Sequence, residues 1–281
     1  MELLARHDAV RGTRVAAGSG DDWAVLGDWS LAASVGGERI VASSRERLAG
    51  RPRIEPGRVW AGLAAYDLTS GTWAALPALP ADMTLRDAAW LDDDLAVASF
   101  GRTPPPRRQG PGGAWSPSER TVLLAAESRE ERAVLLEGLQ VHRVAAASGT
   151  VVAGADGVLA WRDLGGEPQR LADLPPVDAL GLRADGLAAA AAAYRRDVLI
   201  CSPEGDLRRE LPGTSSSTAL AMHPSDAVVA VGGQAGVELR TLDGDVRAKA
   251  AGGPVVDLAF AEDGTRLLVL EAGGLAIRDS A

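Results

Sequence analysis

Arginine is concentrated in two segments of an otherwise acidic chain, at residues 43–58 and 101–119. Guanidinium groups bind carboxylates and phosphates in bidentate geometry, so these segments favour contact with an acidic or phosphorylated protein segment. The second segment also contains a tryptophan, a residue type that often anchors interfaces. The candidate partner-binding residues are Arg45, Arg47, Arg51, Arg53, Arg58, Arg102, Arg107, Arg108, Trp115 and Arg120.

The other residue types that catalyse reactions or bind metals are scattered along the chain. Asp92–Asp94 are consecutive and cannot all face one ion, because calcium ligands are spaced around it. Cys201 is the only cysteine and lies in the apolar run DVLIC, which is typical of a buried strand. The three histidines are far apart in the sequence, at His7, His142 and His223. We expect a solvated turn at the aspartates and structural roles for the others.

Local signatures of common enzyme chemistry are missing from the sequence. It has no Gly-x-Ser-x-Gly nucleophile elbow, no His-Glu-x-x-His motif, no phosphate-binding loop and no dinucleotide fingerprint. A single cysteine forms neither an intrachain disulfide nor a thiolate zinc site. We therefore predict no catalytic residues, no metal site and no cofactor.

The composition is acidic and rich in alanine. The formal net charge of -9 argues against general affinity for nucleic acid or anionic membranes, because the long-range field repels phosphate. Met1–Val10 has no apolar core, and no stretch approaches about 18 apolar residues, so neither export nor membrane insertion is predicted. A single lysine, no asparagine and abundant arginine are typical of a GC-rich bacterial genome. We predict a cytoplasmic bacterial protein.

The elements that carry these residues follow a repeat of about 40 residues. From Val255 the chain has three β-type runs, VVDLAF, TRLLVLE and LAIRDS, separated by Gly/Asp turns. The unit that begins at Ala219 has the same order and adds a fourth run at Val246–Ala250. Two further units precede it, over Val177–Leu211 and His142–Leu174. Four-stranded units of this period stack radially in β-propellers.

Two segments of these units resemble the repeats of WD40 proteins, namely MHPSDAVVAVGGQAGVELRTLDGDV and AFAEDGTRLLVLEAGGLAIRD. In that family a Pro/Asp/Gly turn joins the first two strands of a blade, and the third strand ends near Trp-Asp. The Trp-Asp position is occupied here by Tyr66-Asp67, Trp161-Arg162-Asp163 and Arg278-Asp279, and the Gly-His pair before the first strand is absent. The resemblance covers about residues 29–279 and implies a β-propeller.

Two N-terminal units complete the repeat if each carries a long insertion. They run over Trp29–Leu76 and Thr84–Leu136, with insertions at residues 43–58 and 101–119. Both insertions are predicted between the second and third strands of adjacent blades, which would bring them to the same face of the propeller.

The chain termini are predicted to meet in one blade. Glu2–Arg6 supplies the fourth strand that the last unit lacks, and Arg11–Asp28 is left over for an irregular seventh blade. Leu187–Ala193 is predicted as a strand from its place in the repeat, although alanine favours helices. The sequence thus predicts one all-β domain over residues 1–281, a closed β-propeller of six or seven four-stranded blades.

Function is predicted from these features together. We expect a non-catalytic scaffold in a bacterial multi-component complex, which docks a protein partner with acidic segments on the face that carries both insertions. The alternative is a metal-dependent lactonase-like hydrolase, or a small-ligand-binding propeller, that uses axial carboxylates. Lactonase-like propellers hold their cation with Glu, Asp and characteristically Asn, and this chain has no asparagine. A third option is a structural subunit whose blade edges make the contacts.

Overall fold

The computed structural model describes most of the C-terminal half of the chain and the strands of the N-terminal half. The described residues are 1–8, 14–17, 23–26, 39–44, 62–67, 72–75, 83–91, 95–102, 120–125, 131–192, 197–205, 208–211, 217–261 and 263–280. Within these ranges the chain forms strands and turns and no helix. The predicted all-β class is therefore confirmed. No helix capable of crossing a membrane occurs in the same ranges.

Twenty-three strands lie in the described residues. They are β1 (Leu3–His7), β2 (Arg14–Ala17), β3 (Trp23–Leu26), β4 (Arg39–Ser44), β5 (Gly62–Asp67), β6 (Thr72–Ala75), β7 (Met83–Trp90), β8 (Leu95–Arg102), β9 (Arg120–Ala125), β10 (Glu131–Glu137), β11 (Arg143–Ala147), β12 (Thr150–Trp161), β13 (Gln169–Leu182), β14 (Ala188–Ala192), β15 (Val198–Cys201), β16 (Arg208–Leu211), β17 (Ala219–Met222), β18 (Val228–Gly233), β19 (Gly236–Thr241), β20 (Val246–Ala251), β21 (Val255–Phe260), β22 (Arg266–Glu271) and β23 (Gly274–Asp279).

The strands pair antiparallel with their sequence neighbours and form several sheets. The four-stranded sheets are β7–β10, β17–β20 and β21–β23 with β1, and the smaller ones are β2–β3 and β4–β6. Strands β11–β16 form one six-stranded sheet. Tight turns close the hairpins, as at Gly186 and Gly264, whose φ angles of 88° and 73° favour glycine. The Gly/Asp turns predicted at these two glycines are thus observed, whereas β12 runs unbroken through Asp156-Gly157, where the repeat predicts another turn.

Strand β13 is continuous where the sequence predicts two separate strands. Its first part pairs with β12, ending at Asp156↔Pro176, and its second part pairs with β14, beginning at Val177↔Ala192. The register is irregular on both sides of this point. Proline has no amide hydrogen to donate to a neighbouring strand. It is therefore tolerated at the point where β13 changes its pairing partner from β12 to β14. The six-stranded sheet therefore consists of two halves, β11–β13 and β13–β16, that share one strand.

The alanine run at residues 188–192 forms strand β14, as its place in the repeat predicts. Ala188 and Ala190 pack in one apolar cluster, and Ala189 and Ala191 pack in another on the opposite face of the strand. Apolar side chains from neighbouring parts of the molecule cover both faces. Tertiary packing therefore overrides the helix propensity of alanine here.

Two glycines allow close packing between successive units of the repeat. A Cβ atom on Gly154 of β12 would lie 2.7 Å from Val177 Cγ1, and one on Gly232 of β18 would lie 2.5 Å from Val255 Cγ1. In both cases the valine belongs to the first strand of the following unit. The repeated contact shows that the units stack with the same geometry, and that a side chain at either glycine would separate them.

The N-terminal strand lies in the C-terminal sheet. Strand β1 pairs with β23 through Ala5↔Ile277 and neighbouring residues, as predicted. Arg6 Nη1 lies 3.0 Å from Glu271 Oε2, and the Glu271 side chain is only 3% exposed. The termini of the described chain are therefore joined by a strand pairing and by an ion pair that compensates a buried carboxylate.

Candidate functional site

A cavity of about 180 Å³ lies where six strands approach one another. Its wall is formed by residues of β2, β7, β11, β13, β17 and β21. These strands contact one another in the order β21, β2, β7, β11, β13, β17 and again β21. Three of the lining residues are charged, namely Asp87, Arg143 and Asp257. We take this cavity as one candidate site.

The two aspartates hold neighbouring strands together. Asp87 Oδ2 accepts a hydrogen bond from the amide of Val144 at 2.9 Å, and Asp257 Oδ2 accepts one from the amide of Val15 at 2.7 Å. Each bond crosses from one cavity-lining strand to the next. Charge-assisted hydrogen bonds to backbone amides are among the stronger ones in proteins. The carboxylates that line the cavity therefore have a structural role in joining strands.

Both aspartates follow an irregularity in strand register. The pairing of β7 with β8 shifts between Leu85 and Asp87, and that of β21 with β22 shifts between Val255 and Asp257. A β-bulge changes the direction of the following side chain. The shift thus accounts for each aspartate side chain reaching the next cavity-lining strand.

Arg143 supplies the positive charge of the cavity wall. Its Nη1 donates a hydrogen bond to the carbonyl of His142 at 3.2 Å, and its side chain is half-buried. Among the described residues there is no group of three or more His, Cys, Asp or Glu side chains that could hold a metal ion. The described wall can therefore offer two carboxylates and one guanidinium to a small polar guest.

Polar side chains at the turns join successive units at one end of the strands. Arg162 contacts Glu204 at 3.2 Å, and the carbonyl of Asp226 accepts a bond from Arg183 at 3.1 Å. Arg209 donates to the carbonyl of Leu242 at 3.0 Å. In each case the donor lies in one unit and the acceptor in the next. These bonds supplement the apolar packing between units.

His223 makes a comparable bond between the turns of two sheets. Its Nδ1 accepts the amide of Asp226 at 2.9 Å, so Nε2 carries the proton and donates to the carbonyl of Gly264 at 3.0 Å. The ring also lies edge-on to Phe260, with centroids 5.0 Å apart. These contacts agree with the structural role expected for His223.

Three carboxylates have pKa values below their ordinary range. The hydrogen bond from Arg183 lowers the pKa of Asp185, and the backbone amide of Thr265 lowers that of Asp263. For Glu238, burial opposes ionisation most strongly, but hydrogen bonds from Lys249 and Arg240 together outweigh it and lower the pKa. These groups are charged at neutral pH and stabilise the fold through their partners.

Most of the predicted partner-binding residues lie outside the described residues. This applies to Arg45, Arg47, Arg51, Arg53, Arg58, Arg107, Arg108 and Trp115, and also to Asp92–Asp94. Arg102 is the last residue of β8, and Arg120 is the first of β9. Arg120 Nη2 lies 2.8 Å from Glu131 Oε1, and its Nε lies 3.5 Å from Glu137 Oε1. It therefore pairs with carboxylates of the adjacent strand β10.

The arginine-rich segments connect different positions of their sheets. The segment after Arg102 joins the second and third strands of the β7–β10 sheet. The segment after Ser44 joins β4 and β5, the first two strands of the β4–β6 sheet, and β4 also contacts β3.

The strand-joining role of Asp87 and Asp257 was not predicted from the sequence. A signal was present, because each is a single carboxylate in an otherwise strand-like run, TLRDAAW and VVDLAF. A charged residue among buried neighbours needs a fixed partner.

Comparison of the sequence with models of protein families and with curated proteins finds no match.

Proposed function

We propose that the sheets form a closed six-bladed β-propeller around the cavity. The unbroken order of contacts among the six cavity-lining strands supports closure. Strands β2 and β3 fall within the stretch Arg11–Asp28, and β3 contacts β4. We therefore assign β2 and β3 to the blade that continues with β4 rather than to a seventh blade. Strand β1 completes the last blade.

This arrangement separates the two arginine-rich segments. Strand β4 becomes the third strand of a five-stranded blade, β2–β6, so the following segment connects the third and fourth strands. The segment after Arg102 connects a second strand to a third. In a blade of antiparallel strands, successive connections alternate between the two ends of the strands. A connection between the second and third strands and one between the third and fourth strands therefore lie at opposite ends. The docking surface that we propose therefore uses the arginine-rich segment that follows Arg102, and the connection after Ser44 leaves its blade at the opposite end.

The proposed function is that of a non-catalytic scaffold that binds an acidic protein segment at this surface. The observation that carries it is the charge distribution: arginine accumulates here in a chain with a net charge of -9. Arg107 and Arg108 would contact carboxylates, and Trp115 would supply an apolar anchor. Arg120 already pairs with Glu131 and Glu137 and would add less.

A defined probe tests this function directly. Fluorescence anisotropy would measure binding of a labelled polyglutamate peptide to the wild-type chain and to the double variant Arg107→Glu, Arg108→Glu. We expect the wild type to bind, and the variant to bind at least about tenfold more weakly, since like charges then face each other. The matched control Arg107→Lys, Arg108→Lys keeps the charge and should retain most of the affinity. A wild-type chain that ignores the peptide would contradict the proposal.

The variant Arg51→Glu, Arg53→Glu separates the two segments. If they lie on opposite faces, this variant should bind the peptide nearly as the wild type does. Equal losses of peptide affinity in both variants would instead indicate that the two segments share one surface, as the sequence predicts. Binding of the acidic peptide through arginine is also expected to weaken as the salt concentration rises, because salt screens interactions between charges.

A second candidate function is binding of a small ligand or metal ion in the cavity. The observation that favours it is the presence of Asp87 and Asp257 in the cavity wall. Titration calorimetry with calcium, together with metal analysis of the purified protein, would test it. A metal-free protein that releases no heat with calcium would exclude the metal-dependent form of this function.

A further inference from the structure

Three buried polar residues lie in one row across the β7–β10 sheet. Asp87 of β7 pairs in register with Ser99 of β8, which pairs with Thr121 of β9. Their exposed fractions are 2%, 1% and 0%. Directly opposed residues of antiparallel strands point to the same face of a sheet. The three side chains therefore face the same neighbour, the β11–β13 half of the six-stranded sheet.

Two members of the row bond to that neighbour and the third does not. Asp87 accepts the amide of Val144 at 2.9 Å, and Ser99 Oγ donates to the carbonyl of Val141 at 3.2 Å. Thr121 Oγ1 has no hydrogen-bond partner among the described residues. A fully buried hydroxyl without a partner is costly, and a site of this kind usually holds a partner such as water.

In two other sheets, the row of residues at the equivalent position is apolar beyond its first residue. In the last sheet Asp257 is followed by Leu270 and Leu275. In the β13–β16 half the row consists of Ala179, Ala191 and Val198. The repeat therefore does not require polar side chains at the second and third positions, and Ser99 and Thr121 distinguish the β7–β10 sheet from those two.

The residues around the row determine from which side a small molecule could reach it. At its inner end Asp87 lines the central cavity. At its outer end Thr121 is opposite the half-buried Leu136 of β10. On one side the adjacent row contains Val97 and Leu123, which belong to the apolar cluster shared with the β11–β13 half. The polar row thus reaches the cavity at Asp87 and is bordered by apolar side chains at its outer end and on one side.

We propose that this row binds ordered water, with one molecule bridging Thr121 Oγ1 and Ser99 Oγ and hydration continuing past Asp87 to the central cavity. The Ser99 hydroxyl gives its proton to Val141 and accepts one from the water, while Thr121 can both donate and accept. A water molecule in a protein interior needs two to four such partners, and neutral hydroxyls suit water better than an ion. The interface between these two sheets is then hydrated, unlike the apolar ones.

The variant Thr121→Val tests the site through the sign of its effect. Valine keeps the shape and removes the hydroxyl. If water bridges Thr121, the variant should lower the midpoint of urea unfolding about as much as Thr218→Val, the matched control, whose hydroxyl donates to the carbonyl of Val255 at 2.7 Å. The variant Thr121→Ser should retain most of the stability. A midpoint for Thr121→Val equal to or above that of the wild type would overturn the proposal.

A crystal structure of the unmodified chain gives a second and independent answer, which also decides the matter if the valine variant fails to fold. We expect a density peak within hydrogen-bond distance of both Thr121 Oγ1 and Ser99 Oγ. An empty site at a resolution that shows ordered water elsewhere in the interior would contradict the proposal.

Discussion

Two interfaces between successive sheets of the molecule are held together by different kinds of contact. Between the β17–β20 and β21–β23 sheets, small and branched apolar side chains pack together, and Val255 fills the space where a side chain at Gly232 would lie. Between the β7–β10 sheet and the β11–β13 half, a polar row lies beside the apolar cluster, and a carboxylate bonds a strand amide. One repeat geometry thus accommodates two ways of joining its units.

In both interfaces the contact residues determine how closely the adjacent sheets approach. In the first interface the sheets can pack closely because Gly232 has no side chain. In the second they are joined by a hydrogen bond from Val144 to Asp87. Apolar packing tolerates little change in volume, whereas a buried polar contact tolerates little change in bonding capacity. The two interfaces should therefore fail under different substitutions.

Adding a methyl group at the apolar interface should have the largest effect. In Gly232→Ala the new Cβ would lie 2.5 Å from Val255 Cγ1 and 2.9 Å from Val255 Cβ, so the sheets must separate. We expect a loss of about 3 kcal/mol in the free energy of unfolding, at the upper end of overpacking costs. Urea unfolding would measure it. The control Gly253→Ala has open space at the Cβ position and should change stability little.

The double variant Gly232→Ala, Val255→Ala checks the cause. Removing the valine methyl groups should restore part of the stability lost in the single variant. Loss of stability that is unaffected by the second substitution would assign the effect to the backbone and not to the contact between the sheets.

Removing the carboxylate at the polar interface should have an intermediate effect. Asp87→Ala leaves the amide of Val144 without this acceptor, and we expect a loss of about 2 kcal/mol, as for other hydrogen bonds to charged groups. Hydrogen exchange of the Val144 amide should accelerate in parallel. Asp178→Ala is the matched control, because Asp178 also sits at a register shift but is exposed. Unchanged exchange at Val144 would refute the role given to Asp87.

The smallest effect is expected at a charged cluster within one sheet. Glu238 contacts Arg240 at 2.7 Å and Lys249 at 2.5 Å, and its pKa is lowered below the ordinary value of 4.5. Its stabilising contribution is thus fully present above about pH 4.5 and is lost as the pH falls through the lower, folded-state value. In Glu238→Gln we expect a loss of about 1 kcal/mol near pH 7. The gap to the wild type should close in acid, and a gap of constant size would contradict this sign.

The order of strands and turns could be predicted wherever the repeat is clear in the sequence. The Gly/Asp turns and the strand at residues 188–192 follow from the repeat, even though alanine alone favours a helix. The unbroken strand β13 was not predicted, because Pro175 and Pro176 resemble a break unless the partner strands on both sides are known.

The interior site was harder to predict than the fold. The partners of Asp87 and Asp257 are backbone amides of other strands. Because every residue except proline has such an amide, residue types do not identify the partner. The row formed by Asp87, Ser99 and Thr121 depends on strand register, which residue types alone do not specify. The arginine-rich segments remain a prediction, since Arg107, Arg108 and Trp115 lie outside the described residues.

The most direct test of the proposed closed propeller is the unfolding midpoint of a chain that lacks residues 1–8. If β1 closes the ring, its removal exposes the edge of β23 and deprives the buried Glu271 of Arg6. We predict a clearly lower midpoint for the truncated chain, still in a single cooperative transition. A truncated chain that unfolds at the same urea concentration as the full chain would contradict closure through a shared sheet.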